Sequence, residues 1–162
     1  MKNINKYRHL DNIQKEIRLE IMNVIIDKQT VVNLDDIMKH ISSNMGMSKE
    51  YLRLTLEKFI KENIMVVDNN ENVNFIYPVS AHPTMHKVKL NDGRKLNAMC
   101  AIDALGMSVT FNQDIKINSM CCVTGKEIEI DIKDNNIDYI NNSNLCVLHI
   151  NLEKYENWAA SC

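Results

Sequence analysis

The chain has 162 residues, of which 45% are hydrophobic and 25% charged, and its formal net charge at pH 7 is -2. This composition is typical of a globular protein and excludes a disordered or fibrous one. The small net charge provides no field that would gather nucleic acid or anionic lipid, so a partner must be recognised locally.

The sequence shows no sign of a membrane segment. No run approaches the roughly 20 apolar residues that a membrane helix requires, and the start, MKNINKYRHLDN, lacks the apolar core of a secretory signal. We therefore expect a cytoplasmic protein with no membrane partner. The five cysteines would be reduced there, and their odd number argues against a disulfide scaffold. Metal binding, catalysis and simple burial remain as their uses.

The first half of the chain contains three segments in which apolar residues recur at helical spacing. Helices are predicted from Asp11, after Asn33 and after Ser48, and the last two are good N-cap residues. The segment IMVVDNNENVNFIY then predicts two strands around an Asn-rich turn. Three helices followed by a hairpin are the pattern of a winged-helix-like module, which we assign to residues 1–78.

The charge of this module bears on whether it binds DNA. Residues 1–80 contain eleven Lys or Arg and eleven Asp or Glu. On the third helix the basic residues are interleaved with Glu50, Glu57 and Glu62, whereas phosphate neutralisation needs a clear basic face. We therefore expect a structural or interaction module and no nucleic-acid partner.

After Pro78 the sequence changes to short strands, which predicts a second domain at residues 79–162. The segment HKVKLNDGRKLNA alternates polar and apolar residues about Asn91-Asp92-Gly93, a strong hairpin signal, and residues 99–105 predict a short helix. Four further strands and a closing helix are predicted in the segments IKINS, KEIEIDI, IDYI, CVLHI and LEKYENWAASC. The fold class is therefore predicted as α+β, with a mainly antiparallel sheet and short helices in the second domain.

The predicted helix at 99–105 contains a thiol and a carboxylate, Cys100 and Asp103. On a helix they would lie one turn apart on the same face, where the carboxylate could take or relay a proton. A buried Cys is also a common core residue, and an Asp near a helix end can satisfy backbone donors. The pair alone therefore leaves catalysis and packing open.

A structural metal site is not indicated by the sequence. The chain contains no CxxC spacing, which argues against a structural zinc site. His82 and His86 stand four residues apart, but Pro83 would break the helix that could align them. We therefore expect both histidines to lie in a loop.

Four blocks in the second half carry a resemblance to a known family. The blocks are HPTMHKVKLNDGRKLNAMCAIDAL, INSMCCVTGKEIEIDI, CVLHI and YENWAAS. In this order they resemble the alkylmercury lyases, the organomercurial-cleaving enzymes of mercury resistance. The resemblance covers about residues 75–161, and the winged-helix-like front is similar to the family's amino-terminal region.

The resemblance implies roles for three of the cysteines and one carboxylate. Cys100 matches the family's first catalytic cysteine and Asp103 its catalytic aspartate. Cys121, in the CxxTG stretch, matches a cysteine regarded as structural, and Cys122 is an addition in this chain. These assignments make Cys100 and Asp103 the first half of a catalytic site.

The second catalytic thiol is expected to be Cys146. In the family this cysteine stands four residues before a strand histidine, whereas Cys146 stands three before His149. Without a gap, Leu145 occupies the catalytic position. Either a one-residue deletion allows Cys146 to serve, or the second thiol is displaced, with the terminal Cys162 as the other candidate.

The mechanism implied by the resemblance is protonolysis of a carbon–metal bond, most simply carbon–mercury in a small organomercurial. Cys100, Cys146 and Asp103 would surround a soft metal ion such as Hg(II), which prefers thiolate ligands. Asp103 would relay a proton from a thiol to the leaving carbon. The metal is then substrate or product, no cofactor is required, and an external thiol serves as reductant and product acceptor.

Two other functions remain open at this stage. A non-catalytic soft-metal binding protein would keep the thiol site without turnover and could work with a metal-handling partner protein. The chain also stops soon after Trp158, before a segment that typical members of the family carry, which favours this alternative. A metal-responsive winged-helix regulator is the other possibility, although the neutral front module speaks against operator binding.

Overall fold

The computed structural model describes residues 7, 9–121 and 123–141. Within them the helices are α1 (Asn12–Lys28), α2 (Leu34–Met45), α3 (Lys49–Lys61) and α4 (Ala101–Phe111). The strands are β1 (Val32–Asn33), β2 (Met65–Val67), β3 (Asn72–Ile76), β4 (Val79–Ser80), β5 (His86–Leu90), β6 (Lys95–Ala98), β7 (Ile115–Met120), β8 (Glu127–Lys133) and β9 (Asn136–Ile140). None of the described helices is long and apolar enough to cross a membrane.

The three front helices begin where their N-cap residues stand in the sequence. Asp11, Asn33 and Ser48 have extended backbones, and the side chain of each accepts a hydrogen bond from a backbone N–H in the first turn of its helix. Such bonds satisfy donors that a helix start leaves without intrahelical partners. The predicted hairpin follows as β2 and β3.

All strands pair antiparallel in one sheet, in the order β1-β3-β4-β6-β5-β7-β8-β9, with β2 also paired to β3. The predicted mixture of helices with an antiparallel sheet is therefore confirmed. The sheet continues across residue 78, because β4 pairs with β3 on one side and with β6 on the other. The strands β1 and β4 were not predicted, since two residues are too few to show an alternating pattern.

One apolar core connects the helices to the sheet. Ile17 and Ile21 of α1 are fully buried with Phe59 of α3, and the same cluster includes Val88 of β5 and Met107 of α4. Burying each such side chain stabilises the fold by roughly 1.5–3 kcal/mol. This shared core fixes α4 against the sheet.

The helix α4 is longer than the sequence predicted and begins later. The expected helix at 99–105 is replaced by Ala101–Phe111, with Cys100 as its N-cap residue. Gly106 does not end the helix. An interior glycine raises the free energy of a helix by about 1 kcal/mol, but burial of the next residue, Met107, offsets this. The helix ends at Asn112, whose φ of 50° is left-handed.

Two predicted elements lie outside the described residues. They are the strand CVLHI and the closing helix LEKYENWAASC. The remaining predicted strands of the second half are present as β5 to β9.

Candidate thiol and carboxylate site

Strand register brings several chemically active residues to one end of the sheet. The first residue of β5, His86, lies opposite Ser119 near the end of β7, and Lys87 lies opposite Asn97 near the end of β6. The chain leaves β6 through Met99 to Cys100, and it leaves β7 directly into Cys121. Both cysteines therefore follow strands that end on the same side of the sheet, where β5 begins.

Cys100 and Asp103 are in direct contact. The Sγ atom of Cys100 donates a hydrogen bond to Oδ2 of Asp103 at 3.3 Å, and both residues are half-buried. The carbonyl of Cys100 accepts the first helical hydrogen bond, from the N–H of Ala104 at 2.9 Å. Their spacing of three residues therefore predicted that they would lie together. The contact forms because Cys100 is the N-cap residue of α4 and Asp103 lies in its first turn.

The position of Cys100 at the N-cap places its sulfur where negative charge is favoured. The first N–H groups of a helix lack intrahelical acceptors, and the helix dipole is positive at this end. The Cys100 side chain makes no capping hydrogen bond to the backbone, so its sulfur is directed to Asp103 instead. Cysteines at helix N-termini are favourable metal ligands and nucleophiles for this reason.

The backbone before Cys100 is held from two sides. The N–H of Met99 donates to the carbonyl of Pro78 at 3.2 Å, and Oγ1 of Thr84 donates to the carbonyl of Ala98 at 2.7 Å. Ala98 is also paired with Val79 in the sheet. These bonds fix the direction in which the chain enters α4.

A buried arginine, which the sequence did not predict as a site residue, interacts with the charge of Asp103. Arg18 of α1 is 8% exposed, its guanidinium donates to the carbonyl of Tyr77, and its Cζ lies 3.9 Å from the centre of the Tyr7 ring. Burial lowers the pKa of Arg18, while its interactions with Tyr7 and with the charge of Asp103 act in the opposite direction. One signal was available in the sequence, since Arg18 stands three residues before Ile21 on an apolar helix stripe.

Cys121 lies in a tight turn that favours its thiolate. Hydrogen bonds from the side chain and backbone of Thr124, and from the backbone of Val123, lower the pKa of Cys121 below its ordinary value. The turn is closed by a hydrogen bond of 2.8 Å from the N–H of Gly125 to the carbonyl of Cys121. The structural role that the resemblance implies for Cys121 stays a prediction.

The two histidines of the HPTMH segment do not act as a pair. His82 lies in a loop with Nε2 3.1 Å from Oδ1 of Asn74, whereas Nδ1 of His86 lies 3.0 Å from Oγ of Ser119. The prediction that His86 is a loop residue was wrong, because its backbone already pairs in the sheet as the first residue of β5. Burial lowers the pKa of His86.

The described residues contain one half of the predicted metal site. No group of three or more His, Cys, Asp or Glu side chains that could hold a metal ion occurs among them. Cys146, the predicted second thiol, lies outside the described residues, as do His149 and Cys162. Cys122, the extra neighbour of Cys121, also lies outside them.

Comparisons with known proteins give the family of the chain and a structure with a similar fold. The family model for alkylmercury lyase matches residues 79–162, just over half of the chain. No curated protein matches the chain. A solved structure described as the mercury-bound form of MerB2 is similar to it, with a TM-score of 0.63 and 20% sequence identity. The similarity covers 84% of this chain and 63% of that one, so this chain spans less than two thirds of that protein's length.

Proposed function

This chain belongs to the alkylmercury lyase family, and we propose that it cleaves the carbon–mercury bond of small organomercurials by protonolysis. The observation that supports this most directly is the contact of 3.3 Å between the Cys100 thiol and the Asp103 carboxylate. A metal-binding thiol and a proton-carrying group must lie side by side for this reaction, and these two do.

In the first step Cys100 binds the metal. The sulfur replaces a weaker ligand on an organomercurial, a sulfur–mercury bond forms, and the displaced ligand leaves with its electron pair. The proton of the thiol passes to Asp103, its hydrogen-bond partner. The metal now carries the organic group and one protein thiolate, and Asp103 is the neutral acid.

In the second step the carbon is released. A second thiolate, which we assign to Cys146, binds the metal and increases electron density on the metal-bound carbon. Asp103 donates its proton to that carbon, so the electron pair of the carbon–mercury bond becomes a carbon–hydrogen bond and the hydrocarbon leaves. Mercury stays Hg(II), held by two thiolates, until an external thiol removes it.

We further propose that residues 1–78 form a winged-helix-like module with a structural or interaction role. The order of three helices and a hairpin supports the module, and the charges of α3 support its role. The guanidinium of Arg53 is paired with Glu50 at 2.8 Å and with Glu57 at 2.5 Å, on an exposed surface. A basic side chain that is already neutralised in this way adds little to phosphate binding.

The experiment that tests the lyase function measures hydrocarbon release. Phenylmercury is incubated with the protein and excess thiol, and benzene is quantified by gas chromatography, with Cys100→Ser as the matched control. We expect several benzene molecules for each protein molecule, and none above background for the control. Stoichiometric mercury binding without benzene would refute the lyase and support a soft-metal binding protein instead.

A further inference from the structure

The burial of Arg18 requires an explanation. An arginine side chain is rarely fully buried, because removing its charge from water is costly unless other groups compensate. Here the compensation consists of the Tyr77 carbonyl, the face of the Tyr7 ring and the charge of Asp103. The Nε atom of Arg18 has no hydrogen-bond partner among the described residues. A purely structural side chain at this position would be simpler to bury if it were apolar.

The hydrogen bond from Arg18 to Tyr77 connects Arg18 to the backbone just before Cys100. Its guanidinium donates to the carbonyl of Tyr77, and the carbonyl of the next residue, Pro78, accepts from the N–H of Met99. Met99 is the residue directly before Cys100. The Tyr77–Pro78 peptide unit therefore connects α1, through one hydrogen bond on each side, to Met99.

A second link between Arg18 and the pair is electrostatic, because the negative charge of Asp103 favours the charged form of the guanidinium. The charge of Asp103 interacts with the guanidinium, in a setting where Arg18 is 92% buried. Charges interact more strongly in such surroundings than in water because screening is weaker. The same arginine is thus linked to the backbone before Cys100 and to the carboxylate that accepts the Cys100 hydrogen bond.

We propose that Arg18 is a positioning residue for the Cys100–Asp103 pair. It fixes the Tyr77–Pro78 segment on which the chain before Cys100 rests, and it attracts the Asp103 carboxylate so that its Oδ2 atom stays against the thiol. The proposal rests on the proposed lyase function for its role in turnover, but the arrangement of the thiol and the carboxylate can be measured without turnover.

Two substitutions separate a positioning charge from a structural donor. Arg18→Gln keeps a donor for the Tyr77 carbonyl but removes the charge, whereas Arg18→Lys keeps a donor and the charge. If Arg18 acts through its charge on Asp103, Arg18→Lys retains much more activity than Arg18→Gln. If it is only a structural donor, the two variants lose activity equally, which would overturn the proposal.

The measurement uses the Cys100 thiol as the reporter. The full chain is alkylated with iodoacetamide, and the rate at Cys100 is followed by mass spectrometry of its peptide. We expect Arg18→Gln to slow this rate roughly tenfold, because an Asp103 carboxylate that is no longer held against the thiol accepts its proton less efficiently. Arg94→Met is the control, because Arg94 also lies over an aromatic ring, that of Phe111, but in the hairpin of Asp92. It should leave the alkylation rate unchanged.

A double-mutant cycle with Asp103→Asn decides whether Arg18 acts through Asp103. We expect Arg18→Gln to have no further effect on the alkylation rate when Asp103 is already Asn. Equal effects in both backgrounds would overturn the proposal, and so would a loss that follows the melting temperature alone. If Arg18→Gln does not fold, Arg18→Met takes its place; because it removes the donor to Tyr77 as well as the charge, we then expect a smaller effect with Asp103→Asn than with Asp103, and an equal effect would overturn the proposal.

The same variants distinguish failure of this proposal from failure of the proposed function. With phenylmercury we expect Arg18→Gln to lower kcat by roughly tenfold to a hundredfold with little change in KM. If even the unmodified chain releases no benzene, the lyase function fails while the alkylation cycle still tests Arg18. If benzene is released but Arg18→Gln and Arg18→Lys behave alike, only the positioning role fails.

Discussion

The thiol of Cys100 and the carboxylate of Asp103 meet across the first turn of α4, with 3.3 Å between Sγ and Oδ2. They occupy the N-cap position and the third helical position, the two places that serine and glutamate occupy in a capping box. In a capping box both side chains are directed to backbone N–H groups. Here the Cys100 side chain makes no capping bond and donates a hydrogen bond to Asp103 instead.

Replacing Asp103 by alanine should separate metal binding from turnover. The cysteines remain, so the variant should still bind Hg(II), but in the proposed mechanism the leaving carbon would have no proton donor. We expect benzene release from phenylmercury to fall by roughly a hundredfold or more. Mercury binding is measured by mass spectrometry of the intact chain, and full activity in Asp103→Ala would rule out the proton-relay role.

The second thiol can be identified by comparing two serine variants. If Cys146 binds the metal with Cys100, Cys146→Ser should reduce benzene release as severely as Cys100→Ser, because one thiolate alone leaves the carbon less activated. Cys162→Ser is the matched control and should retain activity. Severe loss in Cys162→Ser together with an active Cys146→Ser would move the assignment to the carboxy-terminal residue.

The turn around Cys121 should make its thiol unusually reactive at low pH. Hydrogen bonds, first among them that from Thr124, lower the pKa of Cys121, so the thiolate forms at a lower pH than in an ordinary cysteine. We expect Thr124→Val to move the midpoint of Cys121 alkylation to higher pH. Thr110→Val is a suitable control, since the Thr110 hydroxyl bonds only to the Gly106 carbonyl within α4 among the described residues. An unchanged midpoint in Thr124→Val would contradict the role of the turn.

The hairpin before the site should depend on the charge of Asp92. Hydrogen bonds from Arg94 and Gln113 hold the pKa of Asp92 far below its ordinary value of 3.8. A carboxyl group with a lowered folded pKa stabilises the fold above its unfolded pKa, and this contribution is lost as the pH falls below about 4. Because the side chain is more than a third exposed, screening limits the effect to less than about 1 kcal/mol.

The measurement for Asp92 is the free energy of unfolding as a function of pH. Asp92→Asn should be less stable than the unmodified chain at pH 6, and the difference should begin to shrink near pH 4 and disappear only when the pH falls below the lowered pKa of the folded state. Asp36→Asn provides the control, because Asp36 is paired only at 3.2 Å with Lys39 on an open helix surface among the described residues. A stability difference for Asp92→Asn that is constant with pH would show that its charge is not responsible.

Two glycines should respond to alanine in opposite directions. Gly106 lies inside α4, and a Cβ added there meets no atom within 4 Å among the described residues, so Gly106→Ala should stabilise the chain by about 0.5–1 kcal/mol. Gly46 ends α2 with a φ of 64°, so Gly46→Ala should destabilise it by about 1 kcal/mol. Urea unfolding of both variants checks these signs, and destabilisation by Gly106→Ala would indicate a contact with a part of the chain beyond the described residues.

Local signals predicted the front helices and the hairpins well. Asn33 and Ser48 are N-caps as expected, because capping is decided by the residue itself and its next three neighbours. The turn at Asn91-Asp92-Gly93 was predictable for the same reason, since Gly93 has the left-handed φ of 94° that the turn requires.

Features that depend on distant parts of the chain were not predictable in this way. The length of α4 follows from burial of Met107 against the sheet, which no local pattern around Gly106 reveals. The link from Arg18 to Tyr77 joins residues 59 positions apart. Spacing therefore predicted the contact between Cys100 and Asp103 but not the electrostatic interaction of Asp103 with Arg18.

The continuous sheet has a practical consequence for anyone who wishes to study the second half of the chain by itself. A fragment that starts at residue 79 would keep β4 but lose β3. In the full chain Phe75 and Ile76 of β3 pair with β4. The outer side of β4 would then be an open edge, and such edges recruit strands from other molecules. Aggregation of that fragment would reflect the missing strand rather than the chemistry of Cys100, so β3 and β4 should be kept together in any expressed fragment.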